Sequence, residues 1–418
     1  MSAWTYSASN EANLMKIKYG RLIEKQFNQQ NPLFARIKKK ENFVGSQIEE
    51  PIVQSIGGGV SAGSLPTANE NKIAKATITS KKLYAKTSID RESMKASRSD
   101  EGAFVRFTKF PVQIATKSFN RNVERMFTRG DASGSGALIT GDAANSNVSG
   151  NGAAGTPYVV SFDKASTYFP AEFECIEEGD ILNAGTESTE LEVVAVSVTE
   201  ANGYATGTIS LVGSSLLLAA DTGAAPFAES LYMQKSKDNE TLGLQGVLSA
   251  TSSTLYGVSV GRRWQATQKD ASSAALSTDL MNEVIMNMKR KCGECPNMIL
   301  TSYHQYTKLL NLLEDHKRYP LPAKGALKGV ISFQTIVYAS PDGDIPVVMS
   351  RFMDSDKIYF LNEKHISLHL RPGGFEWFDE DGTVFLRESG DSYEARYGGY
   401  GQFYINPHFQ GYLYNLAV

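Results

Sequence analysis

The residues that could do chemistry are few and scattered. Two Gly-x-Ser-x-Gly matches occur, Gly59–Gly63 (GVSAG) and Gly257–Gly261 (GVSVG). A hydrolase elbow needs a strand before the serine and a helix after it to lift the hydroxyl. Leu65-Pro66 follows the first match and no helical pattern opens there. Two hits in a chain this rich in glycine and serine read as chance. Cys292-Gly-Glu-Cys295 is a lone CxxC. Zinc would want two more ligands at fitting spacing, and His304 and His316 fit no finger pattern. A redox pair belongs at the start of a helix, where the dipole stabilises a thiolate, whereas this pair sits at a helix end before Pro296. Both are read as structural cysteines. His365 and His369 are four apart on a predicted strand, hence on one side of a sheet, and with no third ligand they read as packing or surface positions. Asp379-Glu380-Asp381-Gly382 is similar to a fragment of a calcium loop, but Gly390 stands where the twelfth-position glutamate would be, so a hairpin turn explains it better. There is no Walker loop and no dinucleotide fingerprint after a strand. The sequence predicts no catalytic residue, no cofactor and no metal.

The totals agree with that emptiness. The chain has 418 residues, 41% hydrophobic and 21% charged, with a formal net charge of −3. That is room for two or three domains and a sizeable core, without the global basic field of a nucleic-acid binder. Three cysteines, Cys175, Cys292 and Cys295, are too few for a disulfide framework and suit a reducing compartment. MSAWTYSASNEANL lacks the layout of a signal peptide, and no run approaches the roughly 20 apolar residues of a membrane span. The expected product is cytosolic, soluble and away from membranes.

What remains is a set of long elements. The central one is Ser99–Gly130, read as an amphipathic helix. Phe107, Ile114, Val123 and Phe127 recur near helical spacing, with Lys117, Asn120, Arg121 and Glu124 between them. Ser99 would cap its start, Asp100 and Glu101 suit the dipole, Arg125 and Arg129 close the last turn and Gly130 ends it. Pro111 either kinks the helix or opens a second one. From Pro111 to Arg129 the rod would be about 28 Å long.

Before it, residues 1–45 read as an arm, with a helix from Glu11 to about Asn28 and then a basic stretch holding Arg36, Lys38, Lys39 and Lys40. A solvated charged patch is the first reading of that stretch, and contact with nucleic acid or an acidic neighbour the second. Residues 46–92 read as one very long hairpin, with a rising strand Gln47–Ile56, a glycine-rich tip at 57–71 and a returning strand Lys72–Ile89. The returning strand would exceed about 40 Å, carries Lys72, Lys75, Lys81, Lys82 and Lys86, and has few large apolar residues. An isolated ribbon of two strands is marginal in water, so it is expected to lie across another subunit.

After the helix, seven glycines from Gly130 to Gly155 read as a flexible connection. Tyr158–Phe162, Glu172–Ile176, Leu191–Val198, Tyr204–Val212 and Ser230–Gln234 read as the short strands of an inserted barrel or sandwich, with Asn202-Gly203 as a hairpin turn. Residues 276–350 read as mixed α/β. The helix Ser277–Lys291 has the stripe Leu280, Val284, Ile285, Met288. A buried strand PNMILTS and the helix Tyr303–Glu314 follow, then strands Gln334–Tyr338 and Pro346–Met349. Residues 355–418 read as mostly strands.

This order of elements resembles the major capsid proteins of tailed bacteriophages, with the Hong Kong 97-like fold. The likeness rests on MFTRGDASGSG (Met126–Gly136) with Gly243-Leu244-Gln245-Gly246 after an insert, on NMILTS (Asn297–Ser302) followed by Tyr303–Leu313, and on the closing RESGDSYEARYGGYGQFYINPHF. It implies an α+β capsid fold. The parts would be an N-terminal arm (1–45), an extended β-hairpin loop (46–92), a peripheral domain with the spine helix (93–156), an inserted small β-barrel or sandwich domain (157–235), a return to the peripheral domain (236–275), an axial α/β domain (276–350) and closing strands (351–418). It implies a structural subunit, not an enzyme, that forms pentamers and hexamers of an icosahedral shell around double-stranded DNA. The shell would touch the DNA without sequence preference, and scaffold, portal and decoration proteins are left open as partners. The product would sit in the virion, after assembly in the host cytoplasm. A long charged helical extension that some relatives carry before the arm is missing, which implies a separate scaffold or none. Subunit contacts would involve Gly57, Gly58, Gly59 and Leu65 at the loop tip, Lys72, Lys75, Lys81 and Lys82 on the returning strand, and Arg36 and Lys38 in the arm. Two alternatives stay open: a decoration or adhesion protein of a virion, suggested by the β-rich insert, and the shell of a bacterial nanocompartment.

Overall fold

The computed structural model describes residues 36–55, 60, 63, 72–91, 101–131, 135–142, 144, 146–162, 167–185, 190–213, 225–227, 229–252, 254–314, 336–340, 343–378, 386–387 and 392–418. The expected arm helix, the loop-tip residues Gly57, Gly58, Gly59 and Leu65, the Ser99 cap, His316 and the Asp379–Gly382 turn lie outside them. The described residues fall into two compact units. One lies within Met1–Ile48, Ile78–Glu124 and Ser367–Phe403, the other within Glu49–Thr77, Arg125–Ile366 and Tyr404–Val418.

The first unit is a six-stranded sheet with a helix. Ser392–Ile405 is its central strand and takes Lys81–Asp90 antiparallel along ten residues, from Ser392 opposite Asp90 to Gly401 opposite Lys81. Ile366–Leu370 flanks it on the other side, with Lys38–Lys40 added parallel at the edge. Three exposed lysines on an edge strand are a common guard against stray pairing. Helix α1, Glu101–Arg129, is one helix of 29 residues that continues past Pro111, so no second helix opens there. In this unit it buries Ala115, Phe119 and Val123, four residues apart. Phe119 meets Phe375 and Tyr397 edge-on at 4.9 and 5.0 Å between ring centres. Ile114, expected on that stripe, is 39% exposed, because the buried row runs through Ala115 instead.

The long returning strand is interrupted at Ser80. Ile73–Thr79 pairs with Gln47–Val53 as a separate two-stranded ribbon, while Lys81–Asp90 belongs to the six-stranded sheet. The expected single hairpin is therefore half ribbon and half sheet. The change of partner marks the break: paired with Ser392–Ile405, Lys81–Asp90 buries Leu83, Thr87 and Ser88, whereas the ribbon strand Gln47–Val53 exposes every second residue.

Besides two-stranded ribbons, the second unit holds two larger sheets among its described residues. An eight-stranded one runs in the order Ala225–Pro226, Ser146–Ser149, Tyr158–Phe162, Tyr204–Val212, Leu191–Ala201, Ile181–Ala184, Ser230–Met233, Ala137–Thr140. It begins at Ala137, twenty residues before the expected start of the insert. The stretch read as flexible supplies two of its strands and buries Leu138, Ile139 and Val148. Its glycines serve close packing: a Cβ on Gly152, at φ +76°, would sit 2.1 Å from the Tyr158 ring. Glu172–Ile176 is not a strand. Helix α2, Pro170–Phe173, starts there, with proline in its first turn and the Glu172 carboxylate accepting from the Phe169 N–H.

Helix α3, Leu244–Ser249, leads to the second sheet. This sheet orders Thr267–Asp270, Gly411–Tyr414, Ile358–Leu361, Met298–Thr301, Gly343–Met349 and Val337–Ser340. Helix α4, Thr278–Cys292, has Ser277 as N-cap and Gly293 at φ 79° as its left-handed stop. It buries Met281, Val284, Ile285 and Met288, with Leu280 half-buried beside them. Helix α5 is Tyr303–Glu314. The mixed α/β reading thus holds, and the closing residues return to complete the same sheet.

Candidate functional site

The chemistry-bearing motifs that lie among the described residues are taken up by turns and packing, whereas GVSAG at Gly59–Gly63 lies largely outside them. Tyr256-Gly257 is a turn with φ of 53° and 78° between the two-residue strands Thr254–Leu255 and Val258–Ser259. No helix follows Ser259 to aim it, so GVSVG is a hairpin. The Cys292 thiol donates to Met288 and Glu294 carbonyls at the end of α4, and burial pushes it up, away from the reactive thiolate. His365 belongs to a 3₁₀ turn, Glu363–His365, and not to the strand of His369, so the pair does not share one strand face. Its ring stacks on Phe409 at 3.7 Å, with Nε2 3.3 Å from Glu294. His369 is fully buried, Nε2 against Ser367 Oγ and Nδ1 against Asn42 Oδ1, both at 2.9 Å. Among the described residues no group of three or more His, Cys, Asp or Glu could hold a metal, and no helix is long and apolar enough to cross a membrane.

The densest polar constellation lies at the C-terminal end of α1 in the second unit. Residues 123–128 are buried on every side, which no amphipathic stripe would require. Arg125 forms a bidentate pair with Glu240, both nearly inaccessible. Arg129 reaches Asp354 at 2.7 Å and Glu172 at 3.3 Å, and Asp354 also accepts from Lys357 at 2.6 Å. One guanidinium so ties the helix end to α2 of the eight-stranded sheet and to the loop entering Ile358–Leu361. Burial alone would push the Asp354 carboxyl up, but Arg129 and Lys357 outweigh it and hold it below its ordinary value. Glu172, the more distant partner, is pushed up by burial in spite of Arg129. Such a cluster costs desolvation when it forms, but removing one member leaves a buried charge without its counter-charge. It is a lock that ties these segments together.

Beside the lock two glycines cross. A Cβ on Gly130 would stand 2.4 Å from Met126 O and 2.7 Å from Gly243 N, and one on Gly243 would stand 2.2 Å from Met126 O. The Gly246 N–H donates to Gly130 O at 2.9 Å. The helix end and GLQG, far apart in sequence, touch backbone to backbone.

The ribbon is the opposite of the lock. Lys75 pairs with Glu49 at 2.8 Å in full solvent, and Val53 and Ile73 are 50% and 65% exposed. The ribbon's base is held by the Thr77 N–H donating to Tyr256 O at 2.8 Å. Lys72 and Lys75 are on the ribbon, but Lys81 and Lys82 lie on the sheet strand Lys81–Asp90, and Arg36 and Lys38 lie at and before the edge strand Lys38–Lys40.

Residues 227–396, less than half of the chain, match the family model of the SU10 major capsid protein. Among solved structures, the chain is similar to the Cyanophage A-1(L) capsid subunit, with a TM-score of 0.54, 12% identity and 99% of both chains covered. The fold is that of a tailed-phage capsid protein. The capsid of Myoviridae Phage XM1 is more distant, with a TM-score of 0.44 and 10% identity over 96% of this chain and 95% of that one. The capsid of an empty GTA particle has a TM-score of 0.46 and 10% identity over 96% of this chain and 100% of that one. No curated protein matches the sequence.

Within this capsid fold the sequence reading missed the lock. It set Arg121 and Glu124 between the apolar positions of an amphipathic helix, yet both are buried, and it placed Arg125 and Arg129 only in the last turn, without partners. The available signal was Gly130 with Gly243: paired glycines at a helix end mark a place where another segment passes too closely for side chains.

Proposed function

We propose that the chain is the major capsid protein of a tailed phage, a structural subunit that self-assembles into the icosahedral shell enclosing double-stranded DNA. The observation that carries this is the capsid-protein fold along nearly the whole chain, together with the capsid family match over residues 227–396. The physical features agree with a shell subunit. A ribbon with exposed valine and isoleucine reaches out from its anchor at Tyr256, where no fold of its own covers it. The ribbon lies over a neighbouring subunit, and residues 57–71 at its tip, with Lys72 and Lys75, make that contact. The α/β sheet with α4 and α5 packs around five-fold and six-fold centres as the axial domain. The eight-stranded sheet is the inserted domain and faces outward. Affinity comes from many modest contacts closing a symmetric shell. A chain of net charge −3 meets the packaged DNA without tight, sequence-specific binding. Scaffold, portal and decoration proteins are the further partners, and assembly takes place in the host cytoplasm.

Light scattering of the purified chain, with negative-stain imaging of the same peak, tests this. Megadalton shells or rings of five or six subunits are expected. Deletion of residues 57–71 should weaken assembly while the subunit's thermal melt stays in place. A stable monomer or trimer across salt and concentration, with candidate scaffold co-expressed, would overturn the proposal and return attention to the eight-stranded sheet as a binding module.

A further inference from the structure

The turn Gly261–Trp264, where GVSVG ends, presents two adjacent arginines. The Trp264 N–H donates to Gly261 O at 2.7 Å and closes the turn, with Arg262 and Arg263 exposed between them. The turn is held from both sides. Trp264 is buried, and its indole N–H donates to Leu255 O at 3.2 Å. Just after it, the Lys291 ammonium at the end of α4 donates to Gln265 O at 2.6 Å and to Ala266 O at 3.2 Å. A third positive charge is thereby fixed against the same short segment.

The charges gathered here repel one another. Burial, with Arg262 nearby, lowers the Lys291 pKa. His408, in the turn Pro407–Phe409, is pushed down by burial and then by Lys291, Arg263 and His365. The helix dipole favours Lys289, Arg290 and Lys291 in the last turn of α4, but Arg262 and Arg263 stand on a separate turn. Nor does a carboxylate account for them. Glu294, just past the end of α4, is taken by Asn362 at 2.7 Å and His365 at 3.3 Å. Among the described residues neither arginine has a carboxylate partner. Like charges held together weaken a fold unless an anion offsets them. We propose that Arg262 and Arg263, with Lys291 behind them, bind backbone phosphates of duplex DNA.

The surroundings favour phosphate over an acidic protein segment. A guanidinium matches a phosphate with two parallel hydrogen bonds. A protein partner would centre on apolar or aromatic anchors as well. This patch offers none: among the described residues, every exposed large hydrophobic side chain lies outside 254–268, 288–297 and 362–410. Contacts to phosphate alone carry no sequence information, which suits a surface that meets a whole genome. The site deepens the shell reading and rests on it for the source of the DNA, while the phosphate chemistry stands on the turn itself.

Fluorescence anisotropy of the full-length unassembled subunit, with two duplexes of unrelated sequence, tests this. Both duplexes should bind alike, and the logarithm of affinity should fall with that of salt by about 0.9 for each phosphate neutralised. Arg262→Gln with Arg263→Gln should weaken binding at least tenfold at about 50 mM salt and lower that slope by about 2. Its thermal melt should not move, because both side chains are exposed. Arg262→Lys with Arg263→Lys keeps both charges and should keep the slope. Lys38→Gln with Lys40→Gln removes the same charge from the other unit. An equal loss there, an unchanged affinity in the turn variant, or no binding by the wild type overturns the proposal. So does full competition by inorganic phosphate at matched ionic strength, which assigns the site to the free ion. Full competition by polyglutamate at matched charge overturns it in favour of an acidic protein segment. Particles are scored separately by imaging. Particles whose subunits bind duplex as well without the arginines overturn the site and leave the shell reading standing, while arginine-dependent binding without particles supports the site and removes the shell.

Discussion

Two buried polar sites, one in each unit, solve the same problem in opposite ways. At the end of α1 the charges are kept: Arg129 holds Asp354 and Glu172, Lys357 adds to Asp354, and Arg125 holds Glu240. In the six-stranded sheet the charge is given up. His369 sits between Ser367 and Asn42, and burial, with Lys40 nearby, lowers its pKa to about 4, so the ring is neutral around pH 7. The difference lies in the neighbours. A guanidinium with two carboxylates in reach can stay ionised out of water, while an imidazole offered a hydroxyl and an amide, with a lysine close by, cannot. The first site joins three segments and tolerates no missing member. The second is part of one sheet and responds to acid.

The sharpest way to break the comparison is to empty the lock. Asp354→Ala should lower subunit stability by about 3–5 kcal/mol, because Arg129 and Lys357 lose their best-placed counter-charge while still buried. Urea unfolding of the unassembled subunit measures this. A loss under about 1 kcal/mol would mean that water reaches the cluster and that the lock is a surface pair in effect.

Acid separates the two sites next. His369 has a folded pKa near 4 against an ordinary value of 6.5, so between those values the unfolded chain binds a proton that the folded chain refuses. The His369 contribution to stability is therefore flat above about pH 6.5 and falls as pH drops toward 4, by roughly 2–3 kcal/mol. Asp354 has a depressed folded pKa, so its contribution is complete above the unfolded value near 4 and is lost only below it. His369→Gln should flatten the slope between pH 6.5 and 4 and leave the steeper loss below pH 4 intact. An unchanged slope in the variant would place the acid response elsewhere.

The contrast also shows what the sequence could reveal. Helix α1, the ribbon strands, α4 with its serine cap and α5 all follow from local periodicity and end signals, and were legible. The lock was not, since the partners of Arg125 and Arg129 lie 43 to 225 residues away and only the fold brings them together. Arg121 and Glu124 misread for the same reason: helical spacing says which residues share a face, not that a helix end will be enclosed all round. The glycines after α1 misread in the other direction. Their abundance suggested flexibility, while Gly130 and Gly152 are small because backbone or a ring passes within about one atom's width. The ribbon's break at Ser80 has no strong local signal, as β-forming residues continue on both sides and the change of partner is set by Ser392–Ile405.

The smallest effect is expected where the same chemistry is fully exposed. Lys75 and Glu49 form an ion pair nearly as short as those that Asp354 makes in the lock, at 2.8 Å, but on a ribbon open to solvent. Water and salt already satisfy both groups, and two long side chains lose freedom to meet. Lys75→Ala should leave the urea midpoint of the unassembled subunit within error of wild type, at low salt and at high salt alike. The same variant in the assembly reaction asks a separate question, since Lys75 is there proposed to meet a neighbouring subunit. A midpoint shift in the isolated subunit comparable to that of Asp354→Ala would mean that the ribbon is packed within its own chain, and that burial is not what divides the two kinds of pair.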